Sequence, residues 1–500
     1  MTDRTTPSPA AEALRLGQLI GGRDVLGART IEIRNPARRS ELVGVVDDGS
    51  GEQGAAAVTA ASGAAGWGDT TPAERAAALR RAADAVDADA DALAELVARE
   101  NGSAKAIVRW EAAGAAAAFR DVASRLDAGL RPVVHDASPQ GRFVRIERRP
   151  FGVVACIVPW NAPLILTANK IAPALGAGNT VVLKPSPASP LGASRLARIV
   201  AAELPPGVLN VVNGGEEVGA ALVEHPRIRK VSFTGGGATA RHIMRQAAGT
   251  LTPVHFELGG NDPAIVLDDA DLDSAAERIA VSAFRRAGQV CFAVKRVYVP
   301  RARRSEFLER LIEHVDAIVV GDPLDARTTM GPVNNAQQFD RVRELVHRSA
   351  EAGRDVRELG VRLDPEGWED GFFLPPVLVL DAEQSDELVR EEQFGPVLPV
   401  IAYDDEAQAI EWANDTEYGL CSSVWSESED RALRVAGRIE AGMTIVNNHL
   451  FTPVGTREIP FGGWKQSGIG WESSVHGLEE YLQFHSVDVQ TAATRGAAGA

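Results

Sequence analysis

Cysteine is scarce in this 500-residue chain. Only Cys156, Cys291 and Cys421 occur, too few for a disulfide framework and in keeping with a reducing compartment. Also missing is any apolar run near the roughly eighteen residues of a membrane span. Residues 1–20 lack the apolar h-region of a secretory leader, so a cytoplasmic chain without a membrane partner is expected. Excess positive charge is absent too: the formal net charge is -16, which repels a phosphate backbone unless a local basic patch dominates. The densest basic run, residues 145–149, is broken by Ile146 and Glu147 and reads as an exposed strand. No nucleic-acid partner is expected. No internal repeat or low-complexity linker divides the chain, and its 45% apolar and 24% charged residues are ordinary for globular domains. A chain of this length implies two or three domains, each able to shut water out of a site.

Residues 1–30 read as a loosely ordered lead and residues 491–500 as a fraying tail. A long helix is expected from Thr71, where the threonine caps, Pro72 fits the first turn and Glu74 completes a capping box. It should run to about Arg99 before Asn101 and Gly102 stop it. From Val153 the texture changes. Short β-branched runs at residues 153–158, 181–184, 209–212 and 231–234 alternate with helix-compatible stretches, the signature of βαβ units in a parallel sheet whose ligands bind beyond the strands' carboxyl ends. A second series from Ala264 past Phe394 predicts another α/β domain. Residues 132–149, with turn residues 138–141, read as a protruding hairpin which, with residues 485–489, is suited to pairing with another subunit.

The loops after these strands hold the chemistry-bearing residues. In Pro159-Trp160-Asn161-Ala162-Pro163 the prolines hold Asn161 where its amide can donate into a cleft, although a plain turn asparagine is the commoner meaning of such a loop alone. Lys184-Pro185-Ser186-Pro187 sets a lysine and a hydroxyl at a strand end, within reach of a nucleotide's ribose or phosphate. Phe233-Thr234-Gly235-Gly236-Gly237 ends a strand and opens a helix from Ala238, whose first N–H groups suit a pyrophosphate. It is no GxGxxG fingerprint, and a glycine turn without ligand fits as well. Glu257-Leu258-Gly259-Gly260-Asn261 and Gly288-Gln289-Val290-Cys291 supply a carboxylate and a thiol, each beside glycine, as a base-assisted sulfur nucleophile requires. A cysteine taken singly is more often inert core, and Cys156 and Cys421 fit that description.

With Glu392-Gln393-Phe394-Gly395-Pro396 and the run from Pro460 through Phe461-Gly462-Gly463 to Gly468, these segments resemble the ordered motif set of the aldehyde dehydrogenase superfamily, over roughly residues 35–489. The resemblance implies an α/β fold with three parts. They are a Rossmann-like cofactor domain (residues 1–128 and 151–259, with 460–472 returning to it), an α/β catalytic domain (260–459) and a small β oligomerisation element (129–150 and 473–491) that builds a homodimer or homotetramer. It further implies an NAD(P)-dependent, non-CoA-acylating enzyme that oxidises a small-molecule aldehyde to a carboxylic acid through a thiohemiacetal and thioester on Cys291. Glu257 would be the general base and Asn161 an oxyanion donor beside the Cys291 N–H. The implied cofactor contacts are Val158, Pro159, Trp160, Lys184, Ser186, Gly215, Phe233, Thr234, Gly235, Gly236, Leu258, Glu392 and Phe394, with Glu392 at the nicotinamide ribose and Lys184 at the adenosine ribose; no metal is expected. Ala162, Ile165, Leu166, Asn169, Val290, Phe292, His449, Phe451 and Phe461 are expected to line a substrate channel for a medium or bulky, aromatic aldehyde.

The departures from the family pattern are specific. Pro187 stands where many NAD-preferring members carry a glutamate that accepts from both ribose hydroxyls, so the cofactor is NAD or NADP, with NAD favoured. Gly236 and Ala240 replace the family's serine and last glycine, and Arg286 replaces an asparagine ahead of the nucleophile, putting a cation near the site. Residues 447–460 form a slightly lengthened channel wall. Three rivals remain in view. A cysteine hydrolase would need a histidine partner, and none of the nine histidines sits in a Cys/His motif. A catalytically inert relative is kept open by Arg286. A CoA-acylating semialdehyde dehydrogenase would generally lack the glutamate matching Glu257.

Overall fold

The computed structural model describes residues 14–129, 133–136, 142–450 and 456–490. The β-branched runs after residue 153 fold as parallel strands: Val153–Ile157, Thr180–Lys184, Leu209–Val211, Ile228–Thr234 and Val254–Glu257. Helices cover both faces, so these strands are buried along their length and show no polar alternation. From Val153–Ile157 the chain steps outward through the next two strands, then returns to Ile228–Thr234 on the other side. That reversal opens a crevice at the strands' carboxyl ends. Ile157 is in register with Lys184 on one side and Phe233 on the other, and Thr234 with Glu257. The post-strand motifs therefore share one rim of the sheet.

Residues 258–261 carry the chain from this eight-stranded sheet into a seven-stranded one, which it enters at an interior strand, Asp262–Val266. This second sheet is parallel apart from Val356–Glu358, as the second alternating series predicted. A third, three-stranded sheet consists of the hairpin Val133–Asp136 and Arg142–Pro150 with Leu482–Gln490 alongside, paired from Leu482↔Pro150 to Gln490↔Arg142. The terminal strand thus completes the hairpin within its own chain; the turn residues 138–141 lie outside the described residues.

Two expectations are corrected. From Leu14 the lead is strand, not loose: Leu14–Leu16 pairs with Arg38–Asp48 and Gln18–Ile20 with Leu209–Val211. Three-residue strands are too short to carry a readable alternation. The long helix has the foreseen Thr71/Glu74 capping box and ends at left-handed Gly102, but it breaks at Asp89 into Pro72–Ala88 and Ala90–Asn101. The Asp89 carboxylate there holds Arg195 at 2.6 and 2.7 Å. Among the described residues no helix is long and apolar enough to cross a membrane, and no cluster of His, Cys, Asp or Glu could hold a metal ion.

A buried carboxyl anchors the lysine loop from behind. Glu100 accepts from the N–H groups of Leu191 and Gly192 (2.9 Å for the latter), capping the helix Pro190–Ala202 that follows Lys184. Burial pushes its carboxyl up to about 7, against the opposing pull of those two N–H bonds. A folded-state value above the unfolded one gives a contribution that is complete at low pH and lost as pH rises through about 7. Urea denaturation should therefore show stability falling between about pH 5 and pH 8, with a shallower fall in Glu100→Gln; parallel curves would contradict this.

Candidate active site

Two glycines let the crossing between the sheets approach the thiol. A Cβ on Gly259 would collide with the Glu392 carboxylate, and one on Gly260 would stand 2.7 Å from the Cys291 carbonyl oxygen. Cys291 follows a tight turn in which Arg286, Ala287 and Gly288 adopt positive φ of 54°, 53° and 71°. A side chain on Gly288 would run into the Gly395 carbonyl, so the Cys291 turn and the Glu392–Phe394 loop meet backbone to backbone. Buried polar groups fix the turn. Gln289 donates to the Arg286 carbonyl at 2.9 Å and accepts from the Asn334 N–H at 2.9 Å, and Lys295 Nζ donates to the Gly288 carbonyl at 2.7 Å.

Cys291 faces a cavity of about 200 Å³ whose wall includes Asn161, Ala162, Ile165, Leu166 and Asn169 on one side and Val290, Phe292 and Phe461 on the other. Seven of the expected channel residues are therefore in place. His449 is not among them. It is fully buried behind the wall, its Nδ1 2.8 Å from Ser423 Oγ and its Nε2 2.9 Å from the Phe292 carbonyl, because an imidazole that satisfies two buried partners gains nothing by facing the channel. Phe451 lies outside the described residues. Cys156 and Cys421 are core thiols, as expected.

Asn161 donates one amide hydrogen to the Gln289 carbonyl at 3.0 Å, leaving its second for a ligand. The Cys291 N–H has no hydrogen-bond partner among the described residues. Burial raises the Cys291 thiol well above its ordinary value, helped by the carboxylates of Glu392, Asp262 and Glu257, while Lys295 opposes them. The thiol therefore rests protonated. Glu257 is buried at the end of its strand, off the cavity wall, with neither carboxylate oxygen hydrogen-bonded; Oε1 lies 3.4 Å from His255 Nε2. Burial drives its pKa well up, Glu472 adds to this, and Lys170 pulls the other way. His255 is held neutral by burial and by Lys170 and Lys230. Glu257 must turn toward Cys291 and lose its proton before it can act as a base.

The residues expected at a dinucleotide gather at the rim of the first sheet. Val158, Pro159 and Trp160 follow one strand, and Lys184 and Ser186 the next; Gly215 caps the helix Glu216–Val223, and Phe233 to Gly236 lead into the helix Gly237–Ala248. Leu258 follows Glu257, and across the cleft Phe394 meets Trp160 edge to face at 5.6 Å. The donor set fits a nicotinamide dinucleotide. The Thr234 hydroxyl is buried without a partner, Lys184 Nζ reaches only the Pro185 carbonyl at 3.4 Å, and at Gly215 and Gly236 an added Cβ would meet nothing within 4 Å. Burial lowers Lys184 to about 8. Glu392, near the Gly260 N–H at 3.3 Å, is raised to about 7 by burial.

Sequence motifs did not mark Trp110, Glu111, Arg285, Arg457 or Glu472, which also line the cavity. They are carried by helices and loops without a motif, and only the fold brings them to Cys291. Glu111 explains Arg286. The two form a buried ion pair; Glu111 also caps the helix Pro163–Gly176 through the N–H groups of Leu164 (2.7 Å) and Ile165 (3.1 Å), and Arg286 donates to Ser103 Oγ (2.9 Å) and the Asn161 carbonyl (3.0 Å). Arg286 is thus the brace of the Asn161 loop rather than a free cation.

A thiol lining a cavity with Asn161, together with a sheet rim whose donor set fits a nicotinamide dinucleotide, is the arrangement of an oxidoreductase. The chain belongs to the aldehyde dehydrogenase family, whose model matches residues 25–487. It is 38% identical over 468 residues, 93% of this chain and 94% of the other, to a 3,6-anhydro-alpha-L-galactose dehydrogenase of Streptomyces coelicolor. Among solved structures it is similar to an NAD-dependent aldehyde dehydrogenase from Sinorhizobium meliloti (TM-score 0.91, 34% identity, 96% of this chain and 95% of that one). It is also similar to betaine aldehyde dehydrogenase from Staphylococcus aureus in complex with NAD+ (TM-score 0.90, 34% identity, 95% of each chain).

Removing the Arg286 guanidinium would leave a buried carboxylate alone. Arg286→Ala is expected to lower stability by about 3–5 kcal/mol in urea titrations and to lower turnover by loosening Asn161, with the stability loss partly recovered in Arg286→Ala/Glu111→Gln. A loss below about 1 kcal/mol would remove the brace from this account.

Proposed function

We propose that this enzyme oxidises aldehydes to carboxylic acids with NAD, using Cys291 as nucleophile, Asn161 and the Cys291 N–H as oxyanion donors and Glu257 as the base of hydrolysis. The observation that carries this reading is that Cys291 and Asn161 line one cavity, while Lys184 and Thr234 end the strands on either side of Val153–Ile157, the strand that leads to Asn161.

Because the thiol rests protonated, its proton passes to solvent water as the C–S bond to the aldehyde carbon forms. The resulting thiohemiacetal oxygen carries negative charge, and the free Asn161 amide hydrogen and the Cys291 N–H are the donors for it; losing one such donor typically costs roughly 100- to 1000-fold in rate. Bound NAD supplies the acceptor for the hydride that leaves the substrate carbon. Glu392 and Lys184 would hold its two riboses, and Thr234 with the N-terminus of the helix Gly237–Ala248 its phosphates. The carbon is then a thioester on Cys291. Glu257, turned away from His255, takes a proton from water, and the hydroxide displaces the thiolate to release the acid. Phe292 and Phe461, 5.9 Å apart, narrow the channel on the thiol's substrate side.

The eight-stranded sheet, the seven-stranded sheet and the sheet of Val133–Asp136, Arg142–Pro150 and Leu482–Gln490 support a division into a cofactor domain (1–128, 151–259 and 460–472), a catalytic domain (260–459) and an assembly element (129–150 and 473–491). The assembly element would build a homodimer or homotetramer, and the reading places the enzyme in the cytoplasm. Exposure of Phe484 on the third sheet supports that assembly role.

In a coupled assay at 340 nm without CoA, Cys291→Ala should lose turnover altogether while unfolding at an unchanged urea midpoint; normal turnover would remove the nucleophile. Glu257→Gln should accumulate an acyl-enzyme visible by intact mass. The wild-type deacylation rate should climb as pH rises through the elevated Glu257 pKa, since only the ionised form can accept a proton, and the variant should lose that climb. Exposed Pro187 offers no carboxylate against a 2′-phosphate, so NADP should also be used, and Pro187→Glu should cut kcat/KM for NADP at least about tenfold, as one repelled charge implies. Equal NADP rates in both proteins would refute that.

A further inference from the structure

The channel carries an unbalanced positive charge in a chain whose formal net charge is -16. Of the ionic groups on its wall, Arg286 is paired with Glu111, and Glu472 is answered by buried Lys170 at 2.8 Å. Arg457 donates only to neutral oxygens, Asn169 Oδ1 at 3.2 Å and the Gly114 carbonyl at 2.7 Å. Arg285 has less still. Its guanidinium lies over the Trp110 ring at 4.8 Å, and among the described residues it has no carboxylate partner and no hydrogen-bond acceptor. The residue is half-buried and lines the channel, and none of its nitrogens is among the buried side-chain atoms left without a partner.

Stacking fixes the plane of a guanidinium and leaves its N–H edge free, and that edge matches the two oxygens of a carboxylate. The same wall also carries Ile165, Leu166, Phe292 and Phe461, which give the channel an apolar share able to hold a hydrocarbon body. We propose that Arg285, clamped on Trp110, is a carboxylate anchor, and that the substrate is an aldehyde with an apolar body and a carboxylate at the end remote from the reacting carbon. Arg457, on the same wall, is under the influence of the Asp121 and Glu472 carboxylates but hydrogen-bonds to neither, so Arg285 is the cation this proposal rests on. This assignment rests on the oxidation chemistry proposed above.

A matched pair tests it: 4-carboxybenzaldehyde and its methyl ester differ in charge but share the ring and the reacting group. The wild-type enzyme is expected to favour the acid at least about tenfold in kcat/KM, mostly through KM, since one charge-assisted contact is worth about 1.5–3 kcal/mol. Arg285→Gln should bring that ratio down at least about tenfold, and Arg285→Lys should retain part of it. A wild-type ratio at or below one, or a ratio unchanged in Arg285→Gln, overturns the anchor. Calorimetric binding of terephthalate reads the same contact without turnover: the wild-type chain should bind it more tightly than it binds dimethyl terephthalate, and Arg285→Gln should lose the difference. If terephthalate binds in this way while neither aldehyde is oxidised, the anchor stands and the oxidation chemistry is what fails; equal binding of acid and ester counts against the anchor, whatever the turnover.

Discussion

The site depends on a backbone constraint: two polypeptide segments must run closer together than side chains permit. Residues 258–261 cross from one sheet to the other beneath the Cys291 turn, and Gly259, Gly260 and Gly288 are the positions where a single carbon would force the Glu392 carboxylate, the Cys291 carbonyl and the Gly395 carbonyl away. These contacts bring the ends of two separate sheets to one thiol. The left-handed backbone at Arg286 and Ala287 is the strained counterpart of that approach, held in place by Gln289, Lys295 and the Arg286–Glu111 pair.

Electrostatics then determines what the thiol and the carboxyl can do. Both are buried and both favour their neutral forms; Glu257 is one of the carboxylates that raise Cys291, and Glu472 raises Glu257. Lys295 works against this from behind Cys291, and Lys170 from behind Glu257.

The parallel strands, the glycine crossings and the placing of Asn161 and Cys291 on one cavity were legible because each joins a local pattern to a physical need: buried β-branched runs, glycine where backbones meet, loops that follow strands. The N-terminal strands were not legible, since runs such as Leu14–Leu16 derive their pairing from distant partners. His449 misled for a related reason. Its place in the chain suggested the channel wall, but Ser423 and the Phe292 carbonyl, far apart in sequence, hold it behind that wall. Arg286 was visible as an anomaly while its meaning was not, because Glu111 lies in an alanine-rich helix with no motif around it. Trp110 and Arg285 were missed outright, their encounter being a product of tertiary packing alone.

The protonated resting state of Cys291 has a consequence outside the reaction cycle. Peroxide and electrophiles attack sulfur as the anion, so a thiol kept neutral by its surroundings is a poor target for them.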